Sequence, residues 1–201
     1  MQESSRKEQI LSAALTEFSR CSYDDASLNT ILRDSGVSKG SFYYHFTDKK
    51  DLYLQLLRSA AEAKWEFIRS QSEEVPSESG DIFSIFRAQA RLGAIFAKQH
   101  SEYHQLARRL LDERGKPIYD DIVKQLGGDA SPMLGHMVDQ GIAAGTLTST
   151  LPRDFLIHLL TYLFTHFEEI LDTESDVSIE TTLENLEYLV QFLQQGAGRR
   201  Q

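Results

Sequence analysis

The stretch SKGSFYYHF, residues 38–46, places four aromatic side chains and a histidine in nine positions. Ser38 suits a helix N-cap, because its hydroxyl accepts from a backbone N–H that the first turn leaves unpaired. Along a helix that starts there, Phe42 and Phe46 fall four residues apart on one face, and Gly40, Ser41, Tyr43 and Tyr44 fall on the other half. Two phenylalanine rings therefore enter a core. Two tyrosines, a serine and a glycine stay outside, with Lys39 beside them. His45 lies at the border, and the pattern leaves open whether it packs at the helix end or reaches a phosphate.

Upstream, Ser27 is placed to cap a short helix carrying Leu28, Ile31 and Leu32, which Gly36 ends. The capped helix at Ser38 follows within two residues, as in a helix-turn-helix. Farther back, Ser5 and Glu8 have the spacing of a capping box, and Ile10, Leu11, Ala14, Leu15 and Phe18 repeat at helical intervals. This predicts a first helix from about residue 6 to 20, interrupted by CSYDDA at residues 21–26. Downstream, Asp48 opens a fourth helix over residues 48–69, whose Leu52, Leu56, Leu57, Ala60, Ala61, Trp65 and Ile68 form a broad apolar face.

Residues 70–81, rich in Ser, Glu and Pro, read as a flexible loop. Helices are expected near residues 82–99, 101–114, 117–126, 132–144, 154–172 and 179–195, punctuated by Gly115 with Pro117, Gly127 with Gly128, Ser131 with Pro132, and Gly145. No segment alternates as a strand does. The last two helices are apolar over more than one face: Phe155, Leu159, Leu163 and Phe167 in one, Leu186, Val190, Phe192 and Leu193 in the other. One internal contact does not cover so wide an arc, so a homodimer built on residues 154–172 and 179–195 is expected. The fold class is all-α: a three-helix helix-turn-helix domain over residues 1–47, then a larger helical dimerisation domain over 48–201.

With 201 residues, 41% of them hydrophobic, the chain is long enough for a sizeable core. Its formal net charge is -9, which would disfavour a polyanionic partner if spread evenly. It is not: residues 1–50 hold seven basic and seven acidic side chains, so the whole excess lies beyond them. Cys21 is the only cysteine, which excludes an intrachain disulfide framework and fits a reducing compartment. The polar start and the lack of a long apolar run lead to the expectation of a soluble, cytoplasmic protein without a membrane partner.

The outward face of residues 39–45 suits a hydrogen-bonding, anionic surface. Tyrosine hydroxyls donate to phosphates, Lys39 reaches a phosphate or a guanine edge, and Ser41 is small enough to sit against bases. Lys49 and Lys50 add donors at the start of the fourth helix, where the dipole favours a phosphate. The pattern also admits a second use of Tyr43 and Tyr44, as cover for an adjoining domain.

The segment ILSAALTEFSRCSYDDASLNTILRDSGVSKGSFYYHFTDKKDLYLQLL, residues 10–57, resembles the N-terminal domain of TetR-family transcriptional regulators, most closely in GVSKGSFYYHFTDKKDL. The resemblance implies a homodimeric repressor that binds double-stranded DNA at a palindromic operator and leaves it when a small molecule binds. By alignment, the recognition helix carries Ser38, Lys39, Gly40, Ser41, Tyr43, Tyr44 and His45. Ser27 and Asn29 stand at contacting positions around the second helix, and Lys49 at the phosphate contact opening the fourth. Two positions depart from the family: Ser22 replaces a usual glycine after the first helix, and Leu32 a commoner alanine.

The expected effector pocket draws on the apolar interior of the larger domain, with Trp65, Phe83, Phe86, Phe96, Tyr103, His104, Tyr162 and His166 as candidate lining. Each of these also fits ordinary core packing. His100 and His104 share a helix face but lack a third ligand, so neither a metal site nor any other cofactor is expected. GIAAG at residues 141–145 reads as a helix end. No Ser/His/Asp grouping, phosphate-cradling loop or H-E-x-x-H motif supports catalysis, so the chain is not read as an enzyme. The alternative function is a DNA-bound scaffold regulated by a protein partner without a small-molecule inducer; a helical enzyme or carrier with an incidental domain ranks third.

Overall fold

The computed structural model describes residues 2–71, 81–126, 130–165 and 179–196, and these form ten helices and no β-strand. In chain order they are α1 (Gln2–Arg20), α2 (Leu28–Ser35), α3 (Lys39–His45), α4 (Lys49–Ser70), α5 (Ile82–Gln99), α6 (Ser101–Asp112), α7 (Pro117–Leu126), α8 (Ala130–Ala143), α9 (Arg153–Thr165) and α10 (Ile179–Gly196). Local sequence explains the boundaries of α2 and the start of α3. Ser27 Oγ accepts from Thr30 N–H to start α2, and Gly36, at φ 66°, ends it in the left-handed conformation that glycine adopts without strain. Ser38 Oγ accepts from Ser41 N–H to start α3.

Some expected boundaries move. Helix α1 begins at Gln2, so Ser5 lies within it and the Ser5/Glu8 spacing does not mark its start. The expected sixth helix stops at Asp112, because Glu113 is its C-cap and Gly115 turns the chain at φ 79°. Helix α8 begins two residues before Pro132, which therefore sits in the first turn, where a missing N–H costs nothing. GIAAG does end a helix: Thr146 and Leu147 donate back to Gly141 O at 2.9 and 3.0 Å. Most of the expected loop, residues 72–80, and residues 166–172 of the expected penultimate helix lie outside the described residues.

The chain divides into two compact units, residues 1–66 with 97–126 and residues 67–96 with 127–201. In the first, Ile10, Ala14 and Phe18 of α1, Ile31 of α2, Phe42 of α3, Phe46 just beyond it, and Leu52, Tyr53 and Leu56 of α4 share one core with Leu106 of α6 and Ile122 of α7. The helix-turn-helix is thus built against α6 and α7 as well as against α1 and α4. Leu32 is accommodated as a half-buried neighbour of this core.

In the second unit, Ile82 and Phe83 of α5, Leu134, Met137 and Val138 of α8, Leu156, Ile157 and Leu160 of α9, and Leu189, Val190 and Leu193 of α10 are buried together. Arg87 of α5 ties to α10 through Glu187 Oε2 at 2.7 Å and Gln194 Oε1 at 3.0 Å. Arg153 forms a two-pronged pair with Asp139 at 2.6 and 2.9 Å, joining α9 to α8. No helix among the described residues is long and apolar enough to cross a membrane.

Candidate nucleic-acid interface

Helix α3 sorts its aromatic residues as the helical period requires. Phe42 is 0% exposed and Phe46 is buried beside it, their ring centroids 5.5 Å apart, whereas Tyr43 and Tyr44 are 51% and 71% exposed. Lys39 is exposed, with Nζ 6.0 Å from the Tyr43 ring centroid. Ser41 is half-buried, and a Cβ built on Gly40 would meet nothing within 4 Å. His45 is half-buried; its ring stands edge-on to Tyr44 at 5.0 Å and lies 6.3 Å from Phe46. Asn29 is exposed on the first turn of α2. Ser27 and Ser38 use their hydroxyls as caps, and this holds the start of each helix in place.

The turn before α2 is the part that sequence reasoning left open, because Ser22 stands where glycine is usual. Ser22 Oγ donates to Asp25 Oδ2 at 2.6 Å and accepts from Asp25 N–H at 3.2 Å, closing a local side-chain turn. Ala26 N–H donates to Ser22 O at 3.0 Å, and other backbone groups find partners on neighbouring elements. Ser27 N–H donates to Glu17 Oε1 at 2.8 Å, and Tyr23 N–H donates to Glu113 Oε1 at 2.8 Å. Arg109 Nη2 donates to Arg20 O at 3.3 Å, and Lys49 Nζ donates to the carbonyls of Tyr23, Asp24 and Ala26 at 2.8, 3.3 and 3.0 Å. A loop so supplied does not need glycine's freedom. Its backbone is held by partners rather than by conformational permissiveness.

These contacts change the picture at the start of α4. An ammonium has three donors, and all three of Lys49 are directed at carbonyls within the unit while the charge lies 4.6 Å from the Tyr23 ring centroid. Lys50 Nζ is 2.8 Å from Asp121 Oδ2 of α7, and this partner raises the lysine pKa and lowers the aspartate's. Asp48 Oδ1 accepts from Asp51 N–H at 2.8 Å, and Asp51 Oδ2 accepts from Thr47 N–H at 2.9 Å. Burial pushes the Asp51 carboxyl up, but hydrogen bonds from Gln55 and Thr47 outweigh it and hold the pKa below its usual value. The helix dipole here is met by two carboxylates, and a phosphate contact through Lys49 requires it to give up its carbonyls.

Replacing Lys49 with Met distinguishes these roles. Met retains much of the apolar stem and leaves the carbonyls without their donor, so a loss of about 2 kcal/mol, or a Tm lower by about 4–8 °C, is expected. A thermal melt measures this. An unchanged Tm together with a salt slope of DNA binding reduced by about one would make Lys49 a phosphate contact instead.

The residues expected to line an effector pocket do not all fall in one unit. Trp65, Tyr103 and His104 belong to the first; Phe83, Phe86, Phe96 and Tyr162 belong to the second. Phe83 and Phe96 are buried, Phe86 packs against the second core, and Tyr162 is exposed. His166 lies outside the described residues. The His100 ring lies 5.9 Å from that of Tyr103, His104 is exposed, and no group of three His, Cys, Asp or Glu side chains gathers as a metal site among the described residues. Sequence reasoning missed Glu17, Arg109 and Glu113. Its only signal for them was the missing glycine at position 22.

The fold and the α3 face define a helix-turn-helix protein. Residues 10–56 match the family model described as bacterial regulatory proteins, tetR family. The chain is 33% identical over 86 residues to the transcriptional regulator AcrR of Shigella flexneri, covering 40% of this chain and 36% of AcrR. It is 38% identical over 52 residues to the negative transcriptional regulator IcaR of Staphylococcus aureus strain Newman, covering 26% and 28% of the two chains. The matches thus span about a third of the length of these curated relatives. A TetR family transcriptional regulator from Chloroflexus aurantiacus matches across the whole fold, with a TM-score of 0.67 and 26% identity over 97% of this chain and 94% of that one. Residues 10–56 thus match the N-terminal domain of the TetR family, and the chain is similar over its whole fold to a TetR-family transcriptional regulator.

Proposed function

We propose that the chain is a sequence-specific DNA-binding regulator, a homodimeric repressor that a small molecule releases from a palindromic operator. The observation that carries this is the division of α3: Phe42 and Phe46 anchor the helix, leaving Tyr43 and Tyr44 exposed beside Lys39, Gly40 and Ser41. Asn29 on α2 adds a further exposed polar group, and His45 stands at the edge of the same face. A two-fold dimer presents two such helices, and a palindrome repeats its half-site in the same symmetry.

Support for the dimer comes from the second unit. Helices α9 and α10 bury one face in the core, yet Phe155 and Tyr162, seven residues apart on α9, and Tyr188 and Phe192, four apart on α10, are each half or more exposed. Large aromatic residues at helical spacing are what a four-helix interface between two copies covers. Release by a small molecule rests on the similarity to TetR-family regulators alone.

Selection of binding sites from genomic DNA by the purified protein tests the reading. The expected result is an enriched palindrome with half-sites about one helical turn, or a small multiple of it, apart, bound less tightly as salt rises. Absence of any enriched sequence sinks the proposal. Repeating the selection against a panel of metabolites and drugs tests release; insensitivity to all of them, with a stoichiometric protein copurifying, supports the partner-regulated scaffold instead.

A further inference from the structure

Glu113 is a carboxylate 1% exposed, at the C-cap of α6, ninety residues along the chain from the backbone amide it accepts. Oε1 receives Tyr23 N–H at 2.8 Å, and Oε2 is 2.6 Å from Lys116 Nζ on the turn into α7. Burying a charge is costly without such partners, so the site is built for this contact rather than tolerating it. Tyr23 is the centre of the turn before α2. Its carbonyl is one of those held by Lys49, and its ring lies 5.2 Å from Tyr53 and 6.2 Å from Phe18. One turn of α6 earlier, Arg109 holds Arg20 O at the end of α1. The end of α6 thus holds the segment leading into α2 at its start and at its centre, and α3 follows α2 after only three residues.

We infer that Glu113 is a positioning residue for DNA recognition: by fixing Tyr23 N–H it sets the placement of α2 and α3, although it touches no nucleic acid. This rests on the DNA-binding reading above. It gives the end of α6 a role in recognition that the helix-turn-helix sequence does not contain.

The test compares Glu113→Ala, Glu113→Gln and a control in the second core, Val138→Ala, for affinity to the selected DNA well below each melting temperature. Amide hydrogen exchange across residues 21–27 is followed in parallel. In Glu113→Ala, affinity is expected to fall about tenfold or more, the factor that 1.4 kcal/mol represents, with faster exchange at Tyr23. Glu113→Gln keeps a carbonyl oxygen for the Tyr23 amide and should restore most of both. Val138→Ala should lose thermal stability but not affinity. Unchanged affinity in Glu113→Ala overturns the assignment, as does unchanged exchange at Tyr23 or an equal loss of affinity in Val138→Ala. If the unmodified protein selects no DNA, the functional reading fails and this inference fails with it; affinity lost by no variant sinks only the inference.

Discussion

Phe42→Ala is expected to destabilise the first unit by about 3–5 kcal/mol, the usual cost of removing a fully buried phenylalanine and leaving part of the cavity unfilled. The ring is 0% exposed within the core of the first unit, its centroid 5.5 Å from that of Phe46 and 5.1 Å from that of Tyr43, which stands nearly perpendicular to it. Helix α3 has only seven residues, too few to persist without packing. Total stabilities of domains lie at about 5–15 kcal/mol, so this one change removes a large fraction of the margin. Chemical denaturation followed by far-ultraviolet circular dichroism should show a lower midpoint. Hydrogen exchange in residues 28–46 should accelerate more than in α8 and α9. A midpoint shifted by less than about 1 kcal/mol would mean that α3 is not held through this ring.

What was legible in the sequence was what local chemistry decides. Ser27, Gly36 and Ser38 mark the ends of α2 and α3 because capping is a short-range matter between a side chain and a backbone two or three residues away. The burial of Phe42 and Phe46 followed from a period of 3.6 residues, and so did the exposure of Tyr43 and Tyr44. Lys49 was legible as a lysine at a helix start but not in its use, since a long flexible side chain chooses between solvent, phosphate and carbonyls according to what the tertiary fold brings near it. The turn at residues 21–26 was illegible for the same reason: half of its partners come from α4 and α6. Nor do aromatic residues announce whether they fill a core or line a cavity. Phe96 and Tyr162 looked alike in the sequence, yet one is buried and the other exposed. Ser5 shows the converse error, a capping spacing inside a helix whose first residues are simply polar and carry no breaker.

The exposed half of α3 carries the largest expected effect on binding. Replacing Tyr43 and Tyr44 together with alanine leaves the core intact, because neither ring is buried, and should change stability by no more than about 0.5 kcal/mol. The effect on DNA is different in kind. If each tyrosine of the proposed homodimer donates one hydrogen bond to DNA, worth about 1 kcal/mol, four are lost, and affinity for the selected site should fall roughly a thousandfold. Binding to arbitrary DNA should fall much less, since sequence-independent attraction comes from cationic groups such as exposed Lys39 rather than from tyrosine hydroxyls. The ratio of specific to non-specific affinity is therefore the quantity to measure, at one fixed salt concentration. A double variant that keeps the ratio while remaining folded would take the tyrosines off the DNA and return them to the other use the sequence admitted, as cover for a neighbouring surface. A variant that loses specific and non-specific affinity equally would make them general phosphate contacts, with specificity carried by Lys39, Ser41 and Asn29.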